Sequence, residues 1–259
     1  MKNVAIILTG DPRHLDFCLK WWQNLVDNST YDIQFFSSIW KTDNLHLPNF
    51  KETSVTEDEV LKNEHLCSDE LKEYLNNPYE THLKTTVRFD YYFGRLIMLN
   101  KILKLYENTI QDADVILHAR WDCAIRNTNF FQDFVAKAYE TQSYVFTGVQ
   151  PEKHELLHTN DWLYAGPTSH FIKDYHSQSL QKHIELFDEY YTENEVKAKS
   201  YLIGHNFYST FLQHIGAKIQ HFDCDSTLVR ESNLSISANF DDTWGKLLEI
   251  YLNNLKERA

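Results

Sequence analysis

The sequence predicts an α/β fold, with a mostly parallel sheet flanked by helices in a single domain that spans residues 1–259. Apolar runs alternate with segments of helical periodicity through residues 1–150, as in consecutive βαβ units. The chain has 259 residues and is 42% hydrophobic, which is enough for one sizeable core. It contains no internal repeat and no low-complexity linker at which it would divide.

Each element is predicted from an apolar run of strand length or from apolar residues at helical spacing. Phe17, Trp21 and Leu25 indicate a helix directly after the first strand. The predicted strands are residues 3–8, 31–40, 114–125 and 143–149, with a late extended piece at 217–229. The other predicted helices are residues 85–107, 129–141, 168–191 and 195–215. Residues 41–80 are predicted to be an insertion with a short helix, 151–167 irregular, and 230–259 a C-terminal helical tail.

Composition restricts the compartment and the partners. No stretch of about 18 apolar residues predicts a transmembrane segment, and the N-terminal apolar run is too short for a signal peptide. The cysteines (Cys18, Cys67, Cys123 and Cys224) form no CxxC pair, so we expect a reducing, cytoplasmic location rather than a disulfide framework. A net charge of −12 opposes non-specific attraction to nucleic acids or anionic membranes.

The loop after the first strand is the first candidate for ligand binding. Ligands of open parallel sheets gather beyond the carboxyl ends of the strands. Thr9 and Gly10 let the backbone approach a ligand closely, Pro12 stiffens the turn, and Arg13 offers a planar fork for phosphate oxygens. The alternative is a plain strand-to-helix turn with a solvated arginine.

The end of the third strand carries Arg120 and Asp122, which strand alternation places on the same side. The carboxylate there could bind a divalent cation that bridges a diphosphate, because magnesium and manganese prefer oxygen ligands. The arginine could instead neutralise the phosphates directly. The alternative is an ion pair between the two side chains that closes the strand.

Two further positions are candidates for the same edge. Arg88 and Arg95 lie seven residues apart on one face of a predicted helix, and inward-facing arginines need an anion, either a ligand phosphate or a carboxylate of the chain. After the fourth strand, Asp161 could act as a general base while Asn160 and Trp162 contact an acceptor. The alternative for that segment is an Asx-turn that leads into the next helix.

Together these motifs resemble a group of bacterial and phage glycosyltransferases with a GT-A-like fold, related to the WavE-type lipopolysaccharide-synthesis proteins, over most of residues 1–230. The resemblance implies that Gly10, Pro12 and Arg13 line the donor-nucleotide site. It implies that Asp122 stands in the metal-binding Asp-x-Asp motif, whose first member is here Arg120, so that manganese or magnesium is an option rather than a requirement.

The resemblance also places Asp161 towards the acceptor. It implies that residues 195–201 help to close the pocket and that Arg230 reaches the diphosphate.

The predicted activity is transfer of a sugar from a nucleotide-diphosphate sugar, with a UDP-sugar favoured, to a hydroxyl acceptor. The acceptor is a saccharide or, in a phage, a modified DNA base. Negative charge builds on the departing diphosphate, so cationic groups must lie beside it; Arg13, Arg88, Arg95 and Arg120 could supply them.

Two other functions stay open. His154–His158 reads HELLH and matches the HExxH signature of zinc metallopeptidases, although Pro151 and the Gly166-Pro167 turn make a poor helical context. A non-catalytic carbohydrate-binding protein would also account for the 14% aromatic content. The sequence has no P-loop and no Gly-x-Gly-x2-Gly motif, which disfavours a P-loop kinase and a dinucleotide-dependent oxidoreductase.

Overall fold

The computed structural model describes residues 1–11, 15–41, 49–69, 72, 89–125, 128–147, 160–176, 180–193, 207–222 and 226–228. Within this part of the chain, a seven-stranded sheet has the order β3-β2-β1-β4-β7-β6-β8, and β5 pairs with β9 in a separate ribbon. The strands are β1 (Asn3–Gly10), β2 (Asp32–Trp40), β3 (Phe50–Val55), β4 (Val115–Arg120), β5 (Cys123–Ile125), β6 (Tyr144–Thr147), β7 (Asn160–Pro167), β8 (Ile219–Phe222) and β9 (Ser226–Leu228).

Helices cover both faces of the sheet. They are α1 (Leu15–Asp27), α2 (Glu57–Leu61), α3 (Phe89–Leu105), α4 (Glu107–Ile110), α5 (Thr128–Thr141), α6 (Thr168–Phe171), α7 (Leu180–Glu193) and α8 (Phe207–His214). A short 3-10 helix spans Glu64–Leu66 and a π-helical segment spans Ile172–His176. No helix in the described ranges is long and apolar enough to cross a membrane.

The sheet is mostly parallel. β1 pairs in parallel with β2 and β4, β2 with β3, and β6 with β8, whereas β7 runs antiparallel between β4 and β6. The predicted class, a Rossmann-type, GT-A-like α/β fold with helices on both sides, is confirmed. β2 and β3 lie on one side of β1, and β4, which follows them in the sequence, lies on the other side. In such sheets the ligand crevice lies outside the carboxyl ends of the strands where the order reverses, here β1 and β4.

Strand alternation divides the core into two layers. On β1, Ala5 and Ile7 face the layer that contains α3, while Val4, Ile6 and Leu8 face the layer of α1 and α5. All of these β1 side chains are at most 1% exposed. Because β1 is buried on both faces, its sequence is a continuous apolar run, as is typical of a central parallel strand.

Several predicted boundaries were wrong. Residues 114–125 were predicted as one strand, but β4 ends at Arg120 and Cys123–Ile125 leave the sheet to pair with β9. Residues 41–80 were predicted as an insertion, yet they contain β3, which forms the edge of the main sheet. An edge strand needs little hydrophobicity, and most of β3 is only half-buried, so its polar sequence gave a weak strand signal.

The segment up to Pro167 was predicted to be irregular, with a loop from Thr159, and this was also wrong. Asn160–Pro167 form β7, whose Leu163, Tyr164 and Ala165 are fully buried between β4 and β6. The residues at its two ends, Asn-Asp and Gly-Pro, are typical of turns, so the sequence indicated a loop where the structure has an antiparallel strand.

Candidate functional site

The carboxyl edge of the sheet is the end at which β1, β4 and β6 finish and β7 begins, and it carries the described members of the predicted site. Thr9, Gly10, Arg95, Arg120, Asp122 and Trp162 are described with their side chains. For Asn160 and Asp161 the description covers the backbone alone. The remaining predicted positions lie outside the described residues: Pro12, Arg13, Arg88, His154–His158, 195–201 and Arg230.

Thr9 lies at the centre of this edge. In the sheet register it is opposite Ser38 of β2 on one side and Arg120 of β4 on the other. Its side chain is fully buried, and its Oγ1 lies 2.8 Å from Nε2 of His118. The next residue, Gly10, has φ of +106°, a conformation that favours glycine, and a Cβ there would meet no atom within 4 Å. The backbone after β1 is therefore open to close approach.

Arg95 reaches the same threonine from helix α3. Its Nε donates a hydrogen bond to Thr9 Oγ1 at 3.2 Å, and its guanidinium carbon lies 5.3 Å from the ring centroid of Tyr208 on α8. The helix approaches the sheet closely at this point because Gly94 packs on Trp40, where a Cβ would lie 2.9 Å from the indole ring. The predicted inward position of Arg95 agrees with this contact.

His118 lies beneath Thr9 and is completely buried. Its ring is perpendicular to those of Tyr164 and Tyr208, at centroid distances of 5.0 and 5.3 Å. Burial, and then the nearby charge of Arg95, hold the pKa of His118 well below its ordinary value, so the imidazole is neutral. His118 therefore adds no positive charge beneath Arg95.

Arg120 and Asp122 form a bidentate ion pair. Nε of Arg120 donates to Oδ1 of Asp122 and Nη2 donates to Oδ2, both at 2.8 Å. The side chains are 16% and 2% exposed, so the pair is largely removed from water. The ion pair that the sequence left open as an alternative is therefore present, and it fixes the guanidinium plane at the end of β4.

Asp122 is a poor ligand for a metal ion in this arrangement. Both of its oxygens accept hydrogen bonds from a guanidinium, and its side chain is almost completely buried. The described residues gather no group of three or more His, Cys, Asp and Glu side chains that could hold a metal. The donor set around Asp122 therefore does not fit manganese or magnesium, and we derive no chemistry through a cation.

The acceptor-side candidates begin β7 at the same edge. Asn160 pairs with Thr147 at the end of β6, and Leu163 pairs with Ala119 next to the end of β4. Because β7 is antiparallel, its first residues lie where the parallel strands finish. Trp162 is half-buried against the core layer of α1 and α5, so part of its ring is already used in packing.

Sequence reasoning missed three polar residues of this edge. His118 and Tyr208 surround Thr9 and Arg95, and Ser38 lies beside Thr9 on β2 with a fully buried hydroxyl. For His118 and Ser38 the available signal was a polar residue inside an otherwise apolar strand, where it needs a partner.

The topology and this edge define a Rossmann-like α/β protein with two arginines, Arg95 and Arg120, at the switch point of the sheet. No protein-family model matches the chain, and no curated protein matches it. Among solved structures, it is similar to a crystal structure of 4-diphosphocytidyl-2C-methyl-D-erythritol synthase, with a TM-score of 0.47 and 8% identity over 91% of this chain and 95% of that one. At that TM-score the similarity does not bear on the activity of this chain.

Proposed function

We propose that this protein is a glycosyltransferase that takes its sugar from a nucleotide-diphosphate sugar, with the diphosphate bound at the carboxyl ends of β1 and β4. The observation that carries the proposal is the position of two arginines beside Thr9. Arg95 donates to its hydroxyl, and Arg120 is its partner in the sheet register. Both arginines lie where an open parallel sheet binds ligands.

The chemistry follows from charge. When the bond between the sugar and the diphosphate breaks, negative charge builds on the leaving phosphate oxygens, and preorganised cations lower the energy of that state. Arg95 and Arg120 contribute two positive charges and Asp122 one negative charge, while His118 is neutral. We propose that Arg13 and Arg88, which the sequence predicts near this edge, add further positive charge.

We propose that the acceptor approaches from the start of β7. Asp161 would take the proton from the attacking hydroxyl, and Asn160 and Trp162 would contact the acceptor. The support is the antiparallel course of β7, which begins at the edge where β4 and β6 finish. Either a saccharide or a modified DNA base fits this chemistry, and a UDP-sugar is the favoured donor.

A cytoplasmic site of action accompanies the proposal. Cys18, Cys67 and Cys123 are buried thiols rather than disulfides, which supports a reducing compartment. Nucleotide sugars would then reach the protein directly.

A thermal-shift screen against UDP-, GDP-, CMP- and dTDP-sugars tests the function. A ligand that binds the folded state raises the melting temperature by mass action, so the sugar nucleotide that raises it identifies the base. Arg95→Gln should abolish most of that shift, because it removes the cation beside Thr9. Lys104→Gln is the matched control on an exposed position of the same helix and should keep the full shift.

Two results would count against the proposal. One is a screen in which no nucleotide sugar raises the melting temperature of the wild-type protein. The other is an equal shift in Arg95→Gln and Lys104→Gln, which would mean that the ligand does not bind at the carboxyl end of β1.

A further inference from the structure

His118, Thr9 and Arg95 form a chain of hydrogen bonds in which each donor and acceptor can be assigned. The proposed function gives His118 no role. The three side chains come from β4, β1 and α3, and the two contacts are 2.8 Å and 3.2 Å long. Thr9 and His118 are fully buried. A buried chain of this kind holds its last member in a fixed orientation.

The direction follows from the donors and acceptors available. Arginine can only donate, so Thr9 Oγ1 accepts from Arg95 Nε. The Thr9 hydroxyl hydrogen is then directed to Nε2 of His118, which must be unprotonated, and the ring proton lies on Nδ1. Ser38 does not compete for the hydroxyl hydrogen, because its Oγ makes no hydrogen bond within the described part of the chain.

The opposite tautomer satisfies fewer groups. If Nε2 of His118 carried the proton, Thr9 would accept twice, its own hydrogen would lack an acceptor among the described residues, and the lone pair on Nδ1 would lack a donor. With the proton on Nδ1, the Nδ1–H is the one group of His118 and Thr9 that is left without a described partner. Because each unsatisfied buried polar group carries a desolvation cost, the Nδ1-protonated ring is favoured.

The imidazole is also held in place sterically. Tyr164 and Tyr208 contact the ring of His118 with their own rings perpendicular to it, and Tyr208 also lies under the Arg95 guanidinium. The same aromatic side chain thus supports both ends of the hydrogen-bonded chain.

We propose that His118, protonated on Nδ1, is a positioning residue that orients the Thr9 hydroxyl and through it fixes the guanidinium of Arg95 for an anionic diphosphate. The part of this inference that concerns the diphosphate rests on the proposed function. A free arginine side chain loses rotamer entropy when it binds, so an arginine that is already held in place binds an anion at a lower entropic cost.

Binding of two probes, UDP and inorganic pyrophosphate, tests the role of the chain of hydrogen bonds. Thr9→Val removes the hydroxyl at constant shape, and His118→Phe removes the acceptor and keeps a ring. Each should weaken binding of both probes about tenfold, the value of a hydrogen bond to a charged group. Thr9→Ser retains the hydroxyl and should restore near wild-type affinity. The Thr9→Val/His118→Phe double variant should bind no more weakly than either single variant.

His183→Phe is the matched control. His183 is also a buried histidine among aromatic rings and is 1% exposed. It lies on α7, and its Nε2 is 2.7 Å from the carbonyl oxygen of Asp174 in the π-helical segment. The substitution should leave the affinity for both probes unchanged. Equal affinities in wild type, Thr9→Val and His118→Phe would overturn the inference while leaving the proposed function intact.

Nitrogen NMR of histidine- and arginine-labelled protein without ligand gives a second, independent result. We expect Nδ1 of His118 to be protonated, Nε2 to be unprotonated, and the Arg95 Nε–H to be protected from exchange in wild type but not in Thr9→Val. A proton on Nε2, or an Arg95 signal that Thr9→Val does not change, would overturn the inference. If wild type binds neither probe, the proposed function fails, and the NMR result still decides the positioning role.

Discussion

Two buried histidines, His118 and His183, show how the two edges of the sheet differ. His118 bonds a threonine hydroxyl that in turn accepts from an arginine, whereas His183 donates from Nε2 to a backbone carbonyl, that of Asp174. A carbonyl only accepts, so the His183 proton lies on Nε2. The two rings therefore carry their protons on different nitrogens.

The polar groups near the amino edge, where β4 and β6 begin, connect one part of the chain to another. Tyr144 donates its hydroxyl hydrogen to the Asp174 carboxylate at 3.0 Å, and Asn100 donates to the carbonyl of Tyr175 at 2.6 Å. These bonds fasten the π-helical segment to β6 and α3. Such an arrangement contributes to stability, and neither of these two bonds involves a cation.

At the carboxyl edge the same kind of buried hydrogen bonding ends on guanidinium groups. Thr9 bonds Arg95, and Asp122 bonds Arg120. Both edges therefore bury polar groups, and at the carboxyl edge the described bonds hold guanidinium groups. Changes at this edge should therefore alter both stability and anion binding, whereas changes near His183 should alter stability alone.

The largest effect is expected for Arg120→Met. The substitution leaves the Asp122 carboxylate, only 2% exposed, without its partner. Breaking a buried ion pair from one side costs about 3–5 kcal/mol, and urea unfolding should show a loss of that size in the free energy of unfolding. A loss below about 1 kcal/mol would mean that the pair contributes no more than a surface pair.

Two further variants sharpen that result. The double variant Arg120→Met/Asp122→Leu removes both charges and should be more stable than Arg120→Met alone. Lys182→Gln breaks the contact with Glu185, in which both side chains are about half exposed at 49%, and should cost less than about 1 kcal/mol.

A smaller effect concerns pH. Burial lowers the pKa of both His118 and His183 from the ordinary 6.5, and for His118 the shift is the larger. Below pH 6.5 these histidines are protonated in the unfolded chain but stay neutral in the folded chain. The free energy of unfolding therefore decreases as the pH falls. Each such histidine contributes a slope of up to about 1.4 kcal/mol per pH unit.

Urea unfolding from pH 7 to pH 5 measures this slope. His118→Phe should flatten it, because burial holds the folded-state pKa of His118 well below the ordinary value. His183→Phe should flatten it less, since its pKa is lowered less. A slope that His118→Phe leaves unchanged would show that this ring is protonated in the folded protein.

Much of the fold was predictable from local pattern. The helix predicted at 129–141 is Thr128–Thr141, because Phe131, Phe134 and Ala138 repeat at helical spacing and are buried. β1 and β2 were equally clear as apolar runs. By contrast, β3 and β7 were missed. β3 is a polar edge strand, and β7 is inserted antiparallel between two strands. The hydrophobic periodicity of a segment does not predict where that segment joins a sheet.

The site was predictable only in part, for the same reason. Strand alternation correctly brought Arg120 and Asp122 together, since they are two residues apart. The contact between Thr9 and Arg95 joins residues 86 positions apart, and that between Thr9 and His118 joins residues 109 apart. These contacts depend on the register of β1 with β4 and on the docking of α3. The donor, acceptor and metal assignments of the remaining residues stay predictions.

Calorimetric titration of UDP into the wild-type protein and into Arg95→Gln, each with and without a chelator, tests the central claim most directly. The claim is that guanidinium groups at the ends of β1 and β4, rather than a metal ion at Asp122, hold the diphosphate. We expect the wild-type protein to bind UDP equally well with and without the chelator, and Arg95→Gln to bind it at least tenfold more weakly. Binding that disappears with the chelator, or that Arg95→Gln leaves unchanged, would contradict the account.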